Sequence, residues 1–287
     1  NEAHNFDLLI GLNVNKEQQF LIAGFGKRGP SDKIYYYSPP YNPIFNYGTE
    51  TNPDWRATTS YNSDFREKTM VSYFGRLGYN YKPRYLVEIG FRRDGSSTFG
   101  ENHRWANFPS FALGWAFSEE PFMRWAYWLN WGKLRGSYGT SGQIFTSEYM
   151  AYGLFVAGAS FNGNPSVIQS KPVSPNLTWE KSSQYNIGLD LDMFDYRLSV
   201  KMDYYFKYTS SLLYKVRLPG TLWGAEDRDE NAMEVSNEGI ELELLAHILR
   251  SSKLGWRMKL NVSRDWSRLE KTYTGKDIGG GYNGFVI

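Results

Sequence analysis

The chain has 287 residues and is nearly neutral, with 32 Lys and Arg against 30 Asp and Glu and a net charge of +2. It therefore lacks the positive excess of a nucleic-acid binder, and it contains no run of about 20 apolar residues that could form a membrane-spanning helix. With no cysteine and only three histidines, disulfides, thiolate zinc sites and histidine-rich metal centres are excluded. Aromatic residues make up 17% of the chain and 28 residues are glycine, which favours strands and turns.

Segments in which apolar and polar residues alternate predict strands, because successive side chains of a strand point to opposite faces. The first segment runs from Phe6 to Val14, and after a tight break at Asn15–Glu17 a return strand is predicted from Phe20 to Gly24. The clearest hairpin turns at Lys82–Arg84, and Ser118 predicts the start of a short helix that it would cap. In chain order, the predicted strands cover residues 6–14, 20–24, 71–81, 85–91, 111–117, 133–138, 185–191, 198–208, 240–246 and 256–262.

The connections between these strands alternate between short and long. Long loops are predicted at about 27–66, 139–180 and 218–236, all at the same end of the strands. Outer-membrane barrels show this asymmetry, with short periplasmic turns and long extracellular loops. A large soluble antiparallel domain would also alternate along each strand and remains the alternative. We therefore predict an all-β fold, an antiparallel transmembrane β-barrel.

The strand predicted at 198–208 illustrates the two faces expected of such a barrel. It has room for the roughly 9 to 11 residues with which a tilted strand crosses a bilayer. Val200, Met202 and Tyr204 share one face and are predicted to contact lipid. Lys201 and Asp203 share the other face and are predicted to line a wet lumen.

Nine segments follow one another in a distinctive order and spacing. They are YFGRLGYNY at 73–81, RRDGSS at 92–97, FPSFALGW at 108–115, SEEPF at 118–122, KLRGSYGTSG at 133–142, NLTWE at 176–180, NIGLD at 186–190, DYY at 203–205 and NEGIELE at 237–243. Together they resemble the barrel of SusC/RagA-type TonB-linked outer-membrane transporters of the Bacteroidetes. The resemblance implies a bacterial outer-membrane location and a barrel of roughly 22 strands. With about ten strands, residues 1–287 are expected to form an incomplete barrel segment that lacks the plug domain and the closing strands.

The resemblance also implies a function. It suggests an active importer of oligomeric nutrients, glycan or peptide, that works with a SusD-like surface lipoprotein and draws energy from the TonB complex through the missing plug. The barrel would contact outer-membrane lipid, bind no nucleic acid, need no cofactor and carry no catalysis. Two alternatives remain, namely a SusC-like scaffold subunit of a larger outer-membrane complex and a small outer-membrane barrel enzyme.

Aromatic residues in the long loops are the candidates for substrate binding. Flat rings suit the apolar sides of sugar rings or peptide chains. The alternative is that these rings pack loop against loop or against a partner protein. The candidates are Tyr35, Tyr36, Tyr37 and Trp55 in the first long loop and Trp223 in the third.

A weak candidate for a metal site follows the spacing of a calcium-binding loop. Asp227, Asp229, Asn231 and Glu238 occupy positions one, three, five and twelve of that pattern. Ala232 stands where the sharp turn of a calcium loop needs glycine, and no flanking helices are predicted. We therefore interpret the segment as an acidic outer loop and expect no metal.

Overall fold

Thirteen antiparallel strands form the described part of the chain. The computed structural model describes residues 3–26, 44–46, 55–57, 59–145, 148–149, 151–162, 164–218, 227–251 and 254–273. The strands are β1 His4–Gly26, β2 Ile44–Asn46, β3 Trp55–Ala57, β4 Thr59–Tyr81, β5 Tyr85–Ser96, β6 Trp105–Trp115, β7 Leu129–Gln143, β8 Leu154–Phe161, β9 Asn164–Lys171, β10 Glu180–Met193, β11 Leu198–Arg217, β12 Asp227–Arg250 and β13 Gly255–Lys271.

Nine of these strands form one sheet in the order β1-β4-β5-β6-β7-β10-β11-β12-β13. The strands β2 and β3 form a separate hairpin, and so do β8 and β9. Among the described residues the large sheet does not close on itself, so β1 and β13 are its edges. The chain divides into two compact units, residues 1–15 with 70–287 and residues 16–69. Within the described ranges, no helix has the length and apolar character needed to cross a membrane.

The predicted break at Asn15–Glu17 and the return strand predicted after it are wrong, because β1 continues without interruption from His4 to Gly26. Its polar residues pair with the neighbouring strand β4. The Lys16 ammonium lies 3.0 Å from a carboxylate oxygen of Glu67, and the Lys68 ammonium lies 2.9 Å from Glu17. Residues without an apolar alternation can therefore continue a strand when a partner strand supplies hydrogen bonds and opposite charges.

The three long loops are shorter than predicted, for the same reason. Strand β4 already begins at Thr59, β7 continues to Gln143, and β12 begins at Asp227. The second loop also contains the hairpin β8–β9. In most strands, apolar alternation marks only the half near the short turns, while hydrogen bonding between the strands extends further toward the long loops.

The predicted short helix after Ser118 is wrong as well. Two single 3-10 turns lie there instead, Phe117–Glu119 and Pro121–Met123. Glu120 separates them in an extended conformation, because a residue that precedes proline is sterically excluded from the helical region. The Ser118 hydroxyl donates no capping bond and instead donates to the carbonyl of Gly132, at 3.3 Å.

The register of the large sheet sorts its side chains into an apolar and a polar face. One row of the apolar face joins Leu191, Val200 and Leu244, and the next joins Leu189, Met202 and Leu242. The row between them lies on the polar face and joins Asp190, Lys201 and Glu243. The predicted segregation is therefore confirmed, with Val200, Met202 and Tyr204 on one face and Lys201 and Asp203 on the other.

Candidate functional site

The centre of the polar face is a guanidinium clamped between two carboxylates. Arg135 of β7 donates from Nε and Nη2 to the two oxygens of Asp190 on β10, at 2.8 Å each. Its Nη2 also donates to Oδ1 of Asp203 on β11, at 3.0 Å. This bidentate geometry fixes the direction of the guanidinium plane and ties three neighbouring strands together through their side chains.

A glycine makes room for this clamp. A Cβ atom on Gly188 would lie 2.5 Å from Oδ1 of Asp203 and 2.7 Å from Cζ of Arg135. Any side chain at this position would displace the guanidinium or the carboxylate. The NIGLD segment therefore contributes both a ligand of the clamp, Asp190, and the space that the clamp occupies.

The polar face continues across β12 and β13. The Tyr205 hydroxyl donates to Oδ1 of Asp265 at 2.6 Å, and a Cβ on Gly239 would lie 2.4 Å from that same oxygen. Glu243 is held by the ammonium of Lys259 at 2.9 Å and by that of Lys201 at 4.0 Å. This half of the face is densely charged and requires water or protein against it.

The other half of the polar face carries more small residues. A groove of about 390 Å³ is lined there by small residues such as Gly78, Ala112, Gly114 and Ser137, and by the charged residues Asp7, Glu88, Lys133 and Arg135. Small side chains let another polypeptide or a solute approach the strands closely. The groove can therefore bind a polypeptide or a solute whose shape and charge are complementary to it.

The large buried apolar side chains of the described residues lie at the long-loop end. Phe99, from the β5–β6 loop, has its ring centroid 4.8 Å from that of Trp179, which precedes β10. The Trp179 ring also packs edge-on against Phe108 of β6, at 5.7 Å, and is only 2% exposed. Its indole N–H donates to the carbonyl of Arg104, at 3.2 Å. This cluster joins two connections into one packed layer.

Two side chains of β12 anchor the base of the second long connection. The Lys171 ammonium, at the end of β9, lies 2.9 Å from Oδ2 of the buried Asp229. Asn231 accepts a bond from the backbone N–H of Thr178 at 2.7 Å and donates to the carbonyls of Thr178 and Ser211. The base of the β8–β9 hairpin is therefore fixed to the large sheet.

The residues with calcium-loop spacing are not brought together. They all lie on the continuous strand β12 rather than in the loop that we predicted. Glu238 lies seven positions beyond Asn231, or roughly 20 Å along a strand, so one ion cannot contact both. Glu238 instead accepts a hydrogen bond from the Tyr204 hydroxyl, at 3.1 Å. In the described part of the chain, no cluster of three or more His, Asp and Glu could hold a metal ion.

The candidate aromatic residues fall mostly beyond what the structure describes. Tyr35, Tyr36, Tyr37 and Trp223 lie outside the described residues. Trp55 begins β3, where its backbone pairs with Asn46. Sequence reasoning missed Arg135, although it could have been found, since Arg135, Asp190 and Asp203 all occupy polar-face positions in strands that resemble the family.

The short-turn end carries a buried carboxylate with several partners. Glu120 accepts a bond from the Tyr85 hydroxyl at 2.5 Å and one from the Trp115 indole at 3.3 Å. An Arg84 guanidinium nitrogen lies 3.6 Å from its other oxygen. The Tyr85 bond, followed by the Trp115 bond and the Arg84 charge, holds the pKa of Glu120 below its ordinary value against the opposing effect of burial.

Long antiparallel strands, one exposed apolar face and one charged face define the wall of a transmembrane β-barrel. Residues 2–284 match the family described as TonB dependent receptor-like, beta-barrel, and the chain belongs to that family. It is therefore an outer-membrane protein of a family of transporters rather than enzymes. The predicted fold class and location are confirmed.

Similarity to individual proteins supports the same family. The chain is 38% identical over 192 residues to TonB-dependent receptor P39 of Formosa agariphila, which covers 67% of the chain and 18% of that protein. It is 32% identical over 283 residues to TonB-dependent receptor SusC of Bacteroides thetaiotaomicron, covering 96% of the chain and 26% of SusC. The solved RagAB peptide transporter superposes with a TM-score of 0.80 at 25% identity, over 96% of this chain and 29% of that one. The chain thus spans between about a fifth and a quarter of the length of these curated relatives.

Proposed function

We propose that the chain is part of the barrel of an outer-membrane importer that takes up oligomeric nutrients, either glycan or peptide. The similarity to SusC and to the RagAB peptide transporter supports this proposal. A SusD-like surface lipoprotein would cover the long-loop end. Energy would come from the TonB complex, which would act on a plug domain inside the barrel.

The observation that carries the proposal is the charged polar face. Lipid is a poor environment for the Arg135 clamp and the Lys259–Glu243 pair, since a charge at the bilayer midplane costs about 2 to 4 kcal/mol. The polar face therefore suits a lumen that holds water, a plug and a passing solute. The groove over Gly78 and Ala112 offers a path for close approach.

The hairpin β8–β9 supports a protein partner at the long-loop end. Residues 154–170 contain no charged residue, and Phe155 and Val167 are 66% and 71% exposed. Exposed apolar side chains are typical of protein interfaces. In the proposed complex, Tyr35–Tyr37, Trp55 and Trp223 line a substrate cavity beneath the lipoprotein.

The test uses the complete chain in its native membrane. Changing Tyr35, Tyr36 and Tyr37 together to serine should reduce uptake of a glycan or peptide oligomer, or co-purification with the lipoprotein, without reducing the amount of folded barrel. Deleting the gene should abolish uptake of the same oligomer. Unchanged uptake in the deletion strain would contradict transport, and co-purification with an unrelated complex would favour the scaffold role.

A further inference from the structure

An arginine on the apolar face of the sheet is not paired with any carboxylate among the described residues. Arg93 belongs to β5, where it shares the apolar face with Ile89 and Phe91. The preceding residue, Arg92, points to the polar face and donates from Nε to both oxygens of Asp94. Arg93 is exposed, and the contact that the structure gives its guanidinium is with the ring of Trp105, 5.3 Å from its centroid.

The surroundings of Arg93 form a platform of rings. Tyr73 lies directly opposite Arg93 in the register of β4 and β5, and its ring stacks on that of Trp105 at 6.0 Å and 26°. Gly95 allows the indole to lie flat over the backbone, because a Cβ there would be 2.8 Å from three ring atoms. Tyr73 and Trp105 are each about half exposed. The guanidinium thus has one face near an aromatic ring, while its N–H edges are free to bind another group.

The position of this platform along the strands decides what can reach it. Arg93 lies eight residues beyond Tyr85, and Trp105 lies ten residues from Trp115 at the short-turn end. At roughly 3.3 Å per residue and a tilt of about 40°, these separations correspond to heights of roughly 20 and 25 Å. The apolar band of an outer-membrane barrel is about 25 Å tall. Tyr73, Arg93 and Trp105 therefore lie at the extracellular boundary of the bilayer.

We infer that Tyr73, Arg93 and Trp105 form a binding site for the phosphate group of an anionic lipid in the outer leaflet. Charge complementarity identifies the occupant, since a guanidinium binds phosphate through two parallel hydrogen bonds and an unpaired cation at this depth needs an anion. The rings hold the guanidinium at the headgroup level, where Trp and Tyr are enriched. This site is independent of transport and does not depend on the identity of the nutrient.

The test measures retention of lipid A, which carries phosphate groups, by the complete protein in phosphatidylcholine nanodiscs. Arg93→Gln should weaken lipid A binding about fivefold, the effect of one cation near an anionic surface. Arg93→Lys keeps the positive charge but loses the two parallel N–H donors of the guanidinium. Its affinity for lipid A should therefore lie between those of the wild type and Arg93→Gln. Lys201→Gln removes the same charge from the polar face and should bind lipid A as the wild type does.

Gly95→Ala provides a second test that leaves every charge in place. The added methyl group displaces the Trp105 ring, so lipid A binding should fall although Arg93 remains. If Arg93→Gln does not assemble into a heat-modifiable barrel, lipid A binding by Gly95→Ala and Arg93→Lys tests the inference instead. Wild-type affinity in Arg93→Gln or in Gly95→Ala would overturn the inference. Displacement of lipid A by millimolar inorganic phosphate would also overturn it, because the site would then bind a free ion.

Discussion

Arginine at Met202 should destabilise the barrel much more than arginine at Val200, although both residues lie on the apolar face. Strand β11 begins at Leu198, next to the short turn that follows β10, and we take this end as the boundary of the apolar band. At roughly 3.3 Å per residue and a tilt of about 40°, Val200 lies about 5 Å into the apolar band and Met202 about 10 Å. Since the band is about 25 Å tall, Met202 is close to its midplane.

The expected magnitudes follow from these depths. Met202→Arg should cost about 2 to 4 kcal/mol of unfolding free energy, and Val200→Arg about 1 kcal/mol, because the penalty for a charge falls toward the interface. Leu189 and Leu242 flank Met202 on the neighbouring strands and offer no counter-charge. Lys201→Gln is the matched control on the polar face. It loses only an exposed ion pair with Glu243 and should cost less than about 1 kcal/mol.

The assay is denaturant unfolding of the complete barrel in phospholipid vesicles, with the heat-dependent gel shift as the measure of assembly. The order of stability should be wild type, Lys201→Gln, Val200→Arg and Met202→Arg. Equal costs for the two arginine variants would refute the depth argument. A cost for Lys201→Gln as large as that for Met202→Arg would refute the assignment of the faces.

Three further predictions concern the polar face and the two ends of the strands. Gly188→Ala should displace the Arg135 guanidinium and cost about 1 kcal/mol in denaturant unfolding, whereas Gly136→Ala, which meets open space, should be neutral or stabilising. The lowered pKa of Glu120 contributes stability above about pH 4.5 that is lost as the pH falls further. In Glu120→Gln the free energy of unfolding should depend less on pH, and a pH profile unchanged from the wild type would contradict this role of Glu120. Trp179→Ala should cost about 3 to 5 kcal/mol of local stability, seen as faster hydrogen exchange in residues 172–179 but not in the membrane strands.

The membrane-facing half of each strand could be predicted from the sequence because lipid imposes a simple rule. Every second residue contacts hydrocarbon, so every second residue from Tyr85 to Phe91 and from Leu198 to Tyr208 is apolar or aromatic. Strand direction, pairing order and the two faces follow from it. The hairpin turn at Lys82–Arg84 was predicted correctly, and Tyr81 pairs with Tyr85 across it.

The extensions beyond the bilayer could not be predicted in the same way. Neither face meets hydrocarbon there, so Lys16, Glu17 and residues 227–236 show no apolar alternation although they are paired in strands. The Arg135 clamp was hidden for another reason. Its three members are 55 and 13 positions apart in the chain, and only the register of β7, β10 and β11 places them together.

The membrane-spanning part of the strands and their long-loop end are stabilised by different surroundings. In the membrane-spanning part, the apolar side chains remain exposed to the surroundings, as for Ile187 and Leu113, and lipid rather than protein covers them. At the long-loop end, Phe99, Leu177 and Trp179 are almost completely buried by other side chains, as in a soluble protein. This end can therefore keep a defined shape without lipid. A partner that binds it would meet a surface already folded by its own core, while the strands below remain dependent on the membrane.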